Sequence, residues 1–190
     1  MRINHIGYIW WHTWEYLDLP VNEDLLKNLN WIPWGHKAGD SNGLHCYVDD
    51  WRFESIWRNP ENALRYCFNT EAIIAPDFSV PPNGPLENVA WQIFRSKQVA
   101  GYLQQNGLNV IQSITWQSAE QIEKQKELYP SLSMIAVRAP GKDYFEKWVE
   151  GALLVKKLMK PKTVLHFGTQ RGMSVWDNAI NLKLRSRKGH

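Results

Sequence analysis

In the stretch "TEAIIAPDFSVPPNGP", residues 70–85, an apolar run ends in Asp77 and Ser79, with a proline-rich loop rather than an immediate helix behind them. Asp50 stands in a similar place: with Asp49 and Glu54 in "DDWRFE" it follows the apolar run "LHCYV". Carboxylates gathered at neighbouring strand ends can hold Mg²⁺ or Mn²⁺ for phosphate chemistry, or divide acid and base roles between them. Asp77 and Asp50 are therefore the candidate catalytic residues and candidate metal ligands. Their plainer use is to cap the helices that follow, where a carboxylate meets free N–H groups. Ser79, Trp116, Arg138 and Arg171 complete the candidate ligand site: the arginines would neutralise phosphate and Trp116 would stack a base.

Other chemistry-bearing residues have weaker spacing. His36, Asp40, His45 and Cys46 are zinc-ligand types, but their intervals match no standard zinc pattern. His12 and Glu15 have the types of a base and its orienter. The loop "FGTQRGMS" has Gly168, Arg171 and Gly172 for an anion cradle, without GxGxxG or P-loop spacing. No GxSxG elbow is present, so a nucleophilic serine has no positive support.

The elements that must position these residues follow a regular order from residue 44. "LHCYVDD" reads as a strand, and Asn59 with Pro60 opens a helix. "AIIAPDFS" is a second strand, followed by a helix with Val89, Ile93, Ala100 and Leu103 on one face and Gly107 at its stop. "NVIQSITW" is a third, after which Ser118 and Gln121 have capping-box spacing. "SMIAVRAP" is a fourth, and the helix behind it puts Phe145, Trp148, Ala152 and Met159 on one face. "TVLHFGT" is a fifth, with His166 inside it as a core or lumen histidine, and residues 169–181 suggest a last helix.

About five mostly parallel strands alternating with helices make an α/β fold, either an open sheet or an incomplete barrel, with the barrel-like form expected. The expected organisation is a Trp-rich N-terminal segment (1–43) over the sheet's edge or floor, an α/β core (44–181) and a basic tail (182–190). In such folds ligands bind beyond the carboxyl ends of the strands. Asp50, Asp77, Trp116, Arg138 and Arg171 all fall there.

Composition bounds the rest. A chain of 190 residues with 44% hydrophobic and 22% charged residues has the length and balance of one globular domain. Its eleven Trp suit packing first and a stacking surface second. Cys46 and Cys67 form no CxxC pair, no apolar run approaches the ~20 residues that cross a bilayer, and "MRINHIGYIWW" lacks a signal-peptide pattern, so a cytoplasmic protein away from membranes is expected. Residues 156–190 hold nine Lys and Arg against Asp177 alone, a net +8 within an overall +3, which leaves −5 elsewhere. Lys183, Arg185, Arg187 and Lys188 are the candidate nucleic-acid-binding residues, by counterion release.

The segments "VDDWRFESIWRNPENAL", "IIAPDFSV", "WQIFRSKQVAGYLQQNGLNVIQSITW" and "KKLMKPKTVLHFG" resemble, in order and spacing, the family called domain of unknown function 4417. The resemblance covers about residues 47–168 and implies an origin in bacteria, phages or mobile elements rather than a mechanism. The chain departs from it with "YLQ" at 102–104 where the family commonly has "YWQ".

The reading that follows is a phage or mobile-element accessory protein that binds or acts on nucleic acid or a phosphorylated ligand at the strand ends. The alternatives are a non-catalytic module binding a host or phage protein, and a small-molecule or sugar hydrolase using Asp77 and a second carboxylate.

Overall fold

Parallel strands must be joined by crossovers, and right-handed crossovers that always step to the next strand put every helix on one face of the sheet. The computed structural model, which describes residues 14–36, 42–80, 84–129 and 131–182, is built this way. Among these residues one sheet runs in chain order through β1 (Asn30–Pro33), β2 (Asn42–His45), β3 (Ala72–Ile74), β4 (Asn109–Ser113), β5 (Met134–Arg138), β6 (Thr163–Phe167) and β7 (Ala179–Leu182), every pair parallel. The helices are α1 (Glu23–Asn28), α2 (Asp50–Arg58), α3 (Pro60–Cys67), α4 (Leu86–Gln105), α5 (Ala119–Leu128) and α6 (Phe145–Met159).

The expected caps close these helices. Asn59 accepts from the Asn62 N–H with Pro60 in the first turn, Ser118 accepts from the Gln121 N–H, and Gly107 ends α4 at a φ of 88° that suits glycine.

The sheet is curled, and its inner face shows how far. Adjacent strands lie ~4.8 Å apart, so in a flat sheet β2 and β6 would be roughly 19 Å apart. The rings of His45 on β2 and Phe167 on β6 nevertheless meet at 4.8 Å, and Trp31 on β1 reaches Phe167 at 6.2 Å. Alternate side chains such as Ile74, Ile111, Leu165 and Phe167 fill the hollow, while Ile73, Val110, Ile135 and Val164 pack outward against the helices. The α/β class stands, and the incomplete barrel is the form it takes.

Two strands depart from the sequence reading. β1 lies within "NWIP", too short for a period and ending in a proline that an edge strand tolerates. The expected last helix at 169–181 is instead a 3-10 helix at Gln170–Val175 followed by β7, whose Ile180 and Leu182 alternate into the hollow.

The N-terminal residues tie the curl together. Gln98 and Gln104 of α4 hold the backbone of Trp14 and Leu17, and Asp18 accepts from the backbone and hydroxyl of Ser133 just before β5. Glu23 of α1 then accepts from Thr163 and Asn178, at the amino ends of β6 and β7. α1 thus crosses the floor and leaves the carboxyl ends open.

Gly43 is where this closure admits no side chain, because a Cβ there would stand 2.6 Å from the Trp31 ring. Gly43→Ala is expected to cost about 1–3 kcal/mol by overpacking. A denaturant midpoint equal to the parent's would contradict that placement of Trp31.

Candidate functional site

The loop after β3 is fixed before it presents anything. Asp50, first residue of α2, accepts from the Ser79 N–H and the Ser79 hydroxyl, both at 2.9 Å. This two-point clamp holds "PDFS" against α2 and leaves Asp77 facing the strand ends. Asp50 and Asp77 are electrostatic neighbours, as expected, but the Asp50 oxygens are already engaged.

Three side chains at or just beyond the ends of other strands lie near Asp77. Ser113, last residue of β4, hydrogen-bonds Asp77 and donates to the Tyr47 hydroxyl at 3.2 Å. Arg138, last residue of β5, is exposed, with its guanidinium 3.5 Å from the Tyr47 carbonyl. Asp77 keeps part of its surface open, yet burial raises its pKa from 3.8 to about 7, against the opposing pull of Arg138 and Ser113 and with the help of the Asp50 charge. A carboxyl poised there can take or give a proton at neutral pH.

Two hollows meet around the loop Thr115–Gln117, and Asp77 lines the smaller of them. One, ≈ 140 Å³, is lined by Asp77, Ser79 and Trp116 among others. The wider, ≈ 510 Å³, is walled by Trp116, Arg138, Tyr144, Lys147 and Trp148. Thr115, Trp116 and Gln117 border both, so they are one cleft in two parts.

Most candidates gather here, with four departures. Trp116 is 8% exposed and stacked on Trp148 at 5.5 Å, so it is a wall of the cleft rather than an open platform. Arg171 lies over the Phe145 ring at 5.2 Å, beside the cleft and outside its lining. Glu54 leaves the carboxylate set because it pairs with Arg95 of α4. His45 and Cys46 are consecutive in the chain and face opposite sides of the sheet, which splits the zinc-type cluster. His12, Asp40, Lys183, Arg185, Arg187 and Lys188 lie outside the described residues.

Sequence reasoning does not single out Tyr47, Ser113, Tyr144 or Lys147, and weighs His45 only as one of a set of zinc-ligand types without a zinc spacing. The available signal was period two: Ser113 follows Ile111, and Tyr47 follows His45, onto the inner face.

Over residues 12–183 the sequence matches the model of the family described as domain of unknown function (DUF4417). The chain belongs to this family. The match reaches beyond the stretch 47–168 that carries the resemblance and takes in β1 and β7. Two phage proteins are similar to it: the "Gene 1 protein" of Mycobacterium phage L5, 30% identical over 106 residues, and that of Mycobacterium phage D29, 27% identical over 106 residues. The aligned part is 56% of this chain and 46% and 39% of those proteins, so the chain spans less than half the length of either. No solved structure matches the chain. Among the described residues no helix is long and apolar enough to cross a membrane.

As for Mg²⁺ or Mn²⁺, among the described residues no group of three His, Cys, Asp or Glu side chains is placed to hold a metal ion. An ion at Asp77 would find Asp50 as its second carboxylate, with both oxygens already accepting from Ser79.

Two buried histidines set an acid limit on this architecture. Burial lowers His45 to about 4, helped by Arg138 and His36, and lowers His166 to about 4 from 6.5. Each stays neutral in the fold while the unfolded chain takes up a proton. Their contribution is therefore complete above pH 6.5 and is lost as pH falls towards 4. Over that window Asp77 acts in the opposite sense, so the histidines are read in Asp77→Asn. Its unfolding free energy should fall by up to ~1.4 kcal/mol per pH unit for each histidine. A flat profile would contradict neutral burial of both.

Proposed function

We propose that this family member binds a phosphorylated ligand in the cleft at the carboxyl ends of β3–β5, with Asp77 as the group that exchanges a proton with it. One observation carries the reading: Asp77, just beyond β3, feels the charge of Arg138 at the end of β5, and the two line adjoining parts of a cleft that also holds Lys147. Two cations on one wall suit an anion, Trp116 and Trp148 give the cleft apolar sides, and a carboxyl of pKa about 7 suits proton transfer beside it. A nucleotide or the phosphodiester of a nucleic acid has this chemistry.

The test is calorimetric titration of adenosine diphosphate and of a short single-stranded oligonucleotide into the full chain. Arg138→Gln should weaken whichever binds by about 10- to 100-fold, the loss of a charged hydrogen bond. If the oligonucleotide is the better ligand, removing residues 183–190 should also flatten the salt dependence of binding. Binding of neither, or binding indifferent to Arg138, would overturn the proposal.

A second reading, a module that binds a host or phage protein, is favoured by the outer face of α2 and α4. There Trp51 is 77% and Trp91 51% exposed, and Trp91 stacks on Phe94 at 5.6 Å. Trp91→Ser separates the two readings, because it should leave ligand binding at Arg138 unchanged.

A further inference from the structure

Behind Asp77, between β4 and helices α4 and α5, lies a second, smaller and partly open space of ≈ 20 Å³, lined by Asp77, Ser96, Gln112, Gln125 and Tyr129 among others. A water needs roughly 10–15 Å³ of such space and two or more polar partners. Both are present. Gln112 Oε1 and the Tyr129 hydroxyl are buried, on side chains 1% and 3% exposed; Gln112 Oε1 has no hydrogen-bond partner, and the hydroxyl beside Tyr129, that of Ser96, already donates to the Pro76 carbonyl. The Gln112 amide is held in place from its other end, where Nε2 donates to Ser96 Oγ at 2.8 Å. A small polar molecule in this space would give Gln112 Oε1 the donor it lacks.

The chamber abuts the cleft. Asp77, Val80, Thr115 and Gln121 line both the chamber and the ≈ 140 Å³ hollow in front of it. The nearby hydroxyls are poorly placed to attack a ligand themselves: Ser79 donates to Asp50, and Ser113 is shared between Tyr47 and Asp77.

We infer that the chamber is a built site for one water molecule, held between Gln112 Oε1 and the Tyr129 hydroxyl, and that this water is the nucleophile in hydrolysis of a phosphate ester bound in front of Asp77. The inference rests on the phosphorylated-ligand reading above. In the step, the water oxygen forms a bond to phosphorus and the bond from phosphorus to the ester oxygen breaks. Asp77, as carboxylate, takes the proton of the attacking water and passes it to the departing oxygen, which leaves as an alcohol. No oxidant or second reactant is needed.

Inorganic phosphate labelled with oxygen-18 is a sufficient probe, because the same attack on phosphate exchanges its oxygens with the solvent. Exchange by the full chain, followed by phosphorus NMR, should run at least about 10²-fold above buffer. Gln112→Leu, which fills the chamber, and Tyr129→Phe, which removes one hydroxyl, should each slow it at least about tenfold while phosphate still binds. If Gln112→Leu does not fold, Tyr129→Phe decides. Binding without exchange would overturn the hydrolytic step and leave the ligand reading standing, whereas absence of phosphate binding would overturn both. Exchange unaffected by the variants would overturn the chamber as the source of the water.

Discussion

Asp77→Asn is expected to make the protein more stable than its parent near pH 8 and to leave stability almost unchanged near pH 4, a difference of roughly 2–4 kcal/mol across that range. The sign follows from the direction of the shift. Asp77 rises from 3.8 to about 7 on folding, so between those values the unfolded chain loses a proton that the fold retains. Stability belonging to this residue is therefore complete below pH 3.8 and is lost as pH rises towards 7. The amide has no charge to bury. The upper end of the range is the full shift, and the lower end allows for the part of Asp77 that faces solvent. Urea unfolding at several pH values measures it. An Asn variant less stable than the parent at pH 8 would mean that the Asp77 charge is satisfied in the fold, and would remove the reason for reading it as a proton-transfer group. The gain in stability should come with lost chemistry, as at sites where function keeps a costly charge.

Trp148→Ala should be the most damaging single change in the helix layer, costing about 3–5 kcal/mol. The ring is 8% exposed and meets Trp116 at 5.5 Å, His166 at 5.8 Å, Phe145 at 6.0 Å and Trp176 at 6.4 Å. Removing it opens a cavity that α6 cannot close, because α6 is held at its far end by Lys156, which donates to Asp177 and to the Val175 carbonyl. It also frees Trp116, whose ring sits where a Cβ at Gly151 would be 2.0 Å from Nε1. The variant should therefore lose ligand affinity as well as stability. A cost below about 1 kcal/mol would contradict this packing.

How much of this was legible follows from which physical signals act locally. Five of the strands and four of the five helices between them, all but α2, could be read from apolar runs, caps and stops such as Asn59, Ser118 and Gly107, all of which act within a few residues. β1 and β7 could not. Each is four residues long, and each becomes a strand only by pairing with its neighbour, β2 or β6. Of the site, topology alone placed Asp77 and Arg138 at strand ends. His45, Tyr47 and Ser113 were hidden because polar residues facing inward have a meaning only once the sheet curls and the inner faces of β2 and β6 meet. Trp116 was read as a platform because the packing of its ring depends on Trp148 and Gly151, more than thirty residues on. Arg171 was placed with the phosphate ligands because it follows β6, yet its guanidinium rests on Phe145.

The most direct measurement is the pKa of Asp77, followed by carbon NMR of its carboxyl in the parent and in Arg138→Gln, with and without inorganic phosphate. Arg138 holds that pKa down, so its removal should raise it. Phosphate bound at Arg138 offsets the same positive charge and should raise the pKa in the parent, while having little effect in Arg138→Gln. A carboxyl that responds neither to Arg138 nor to phosphate would contradict a shared anion site at the strand ends.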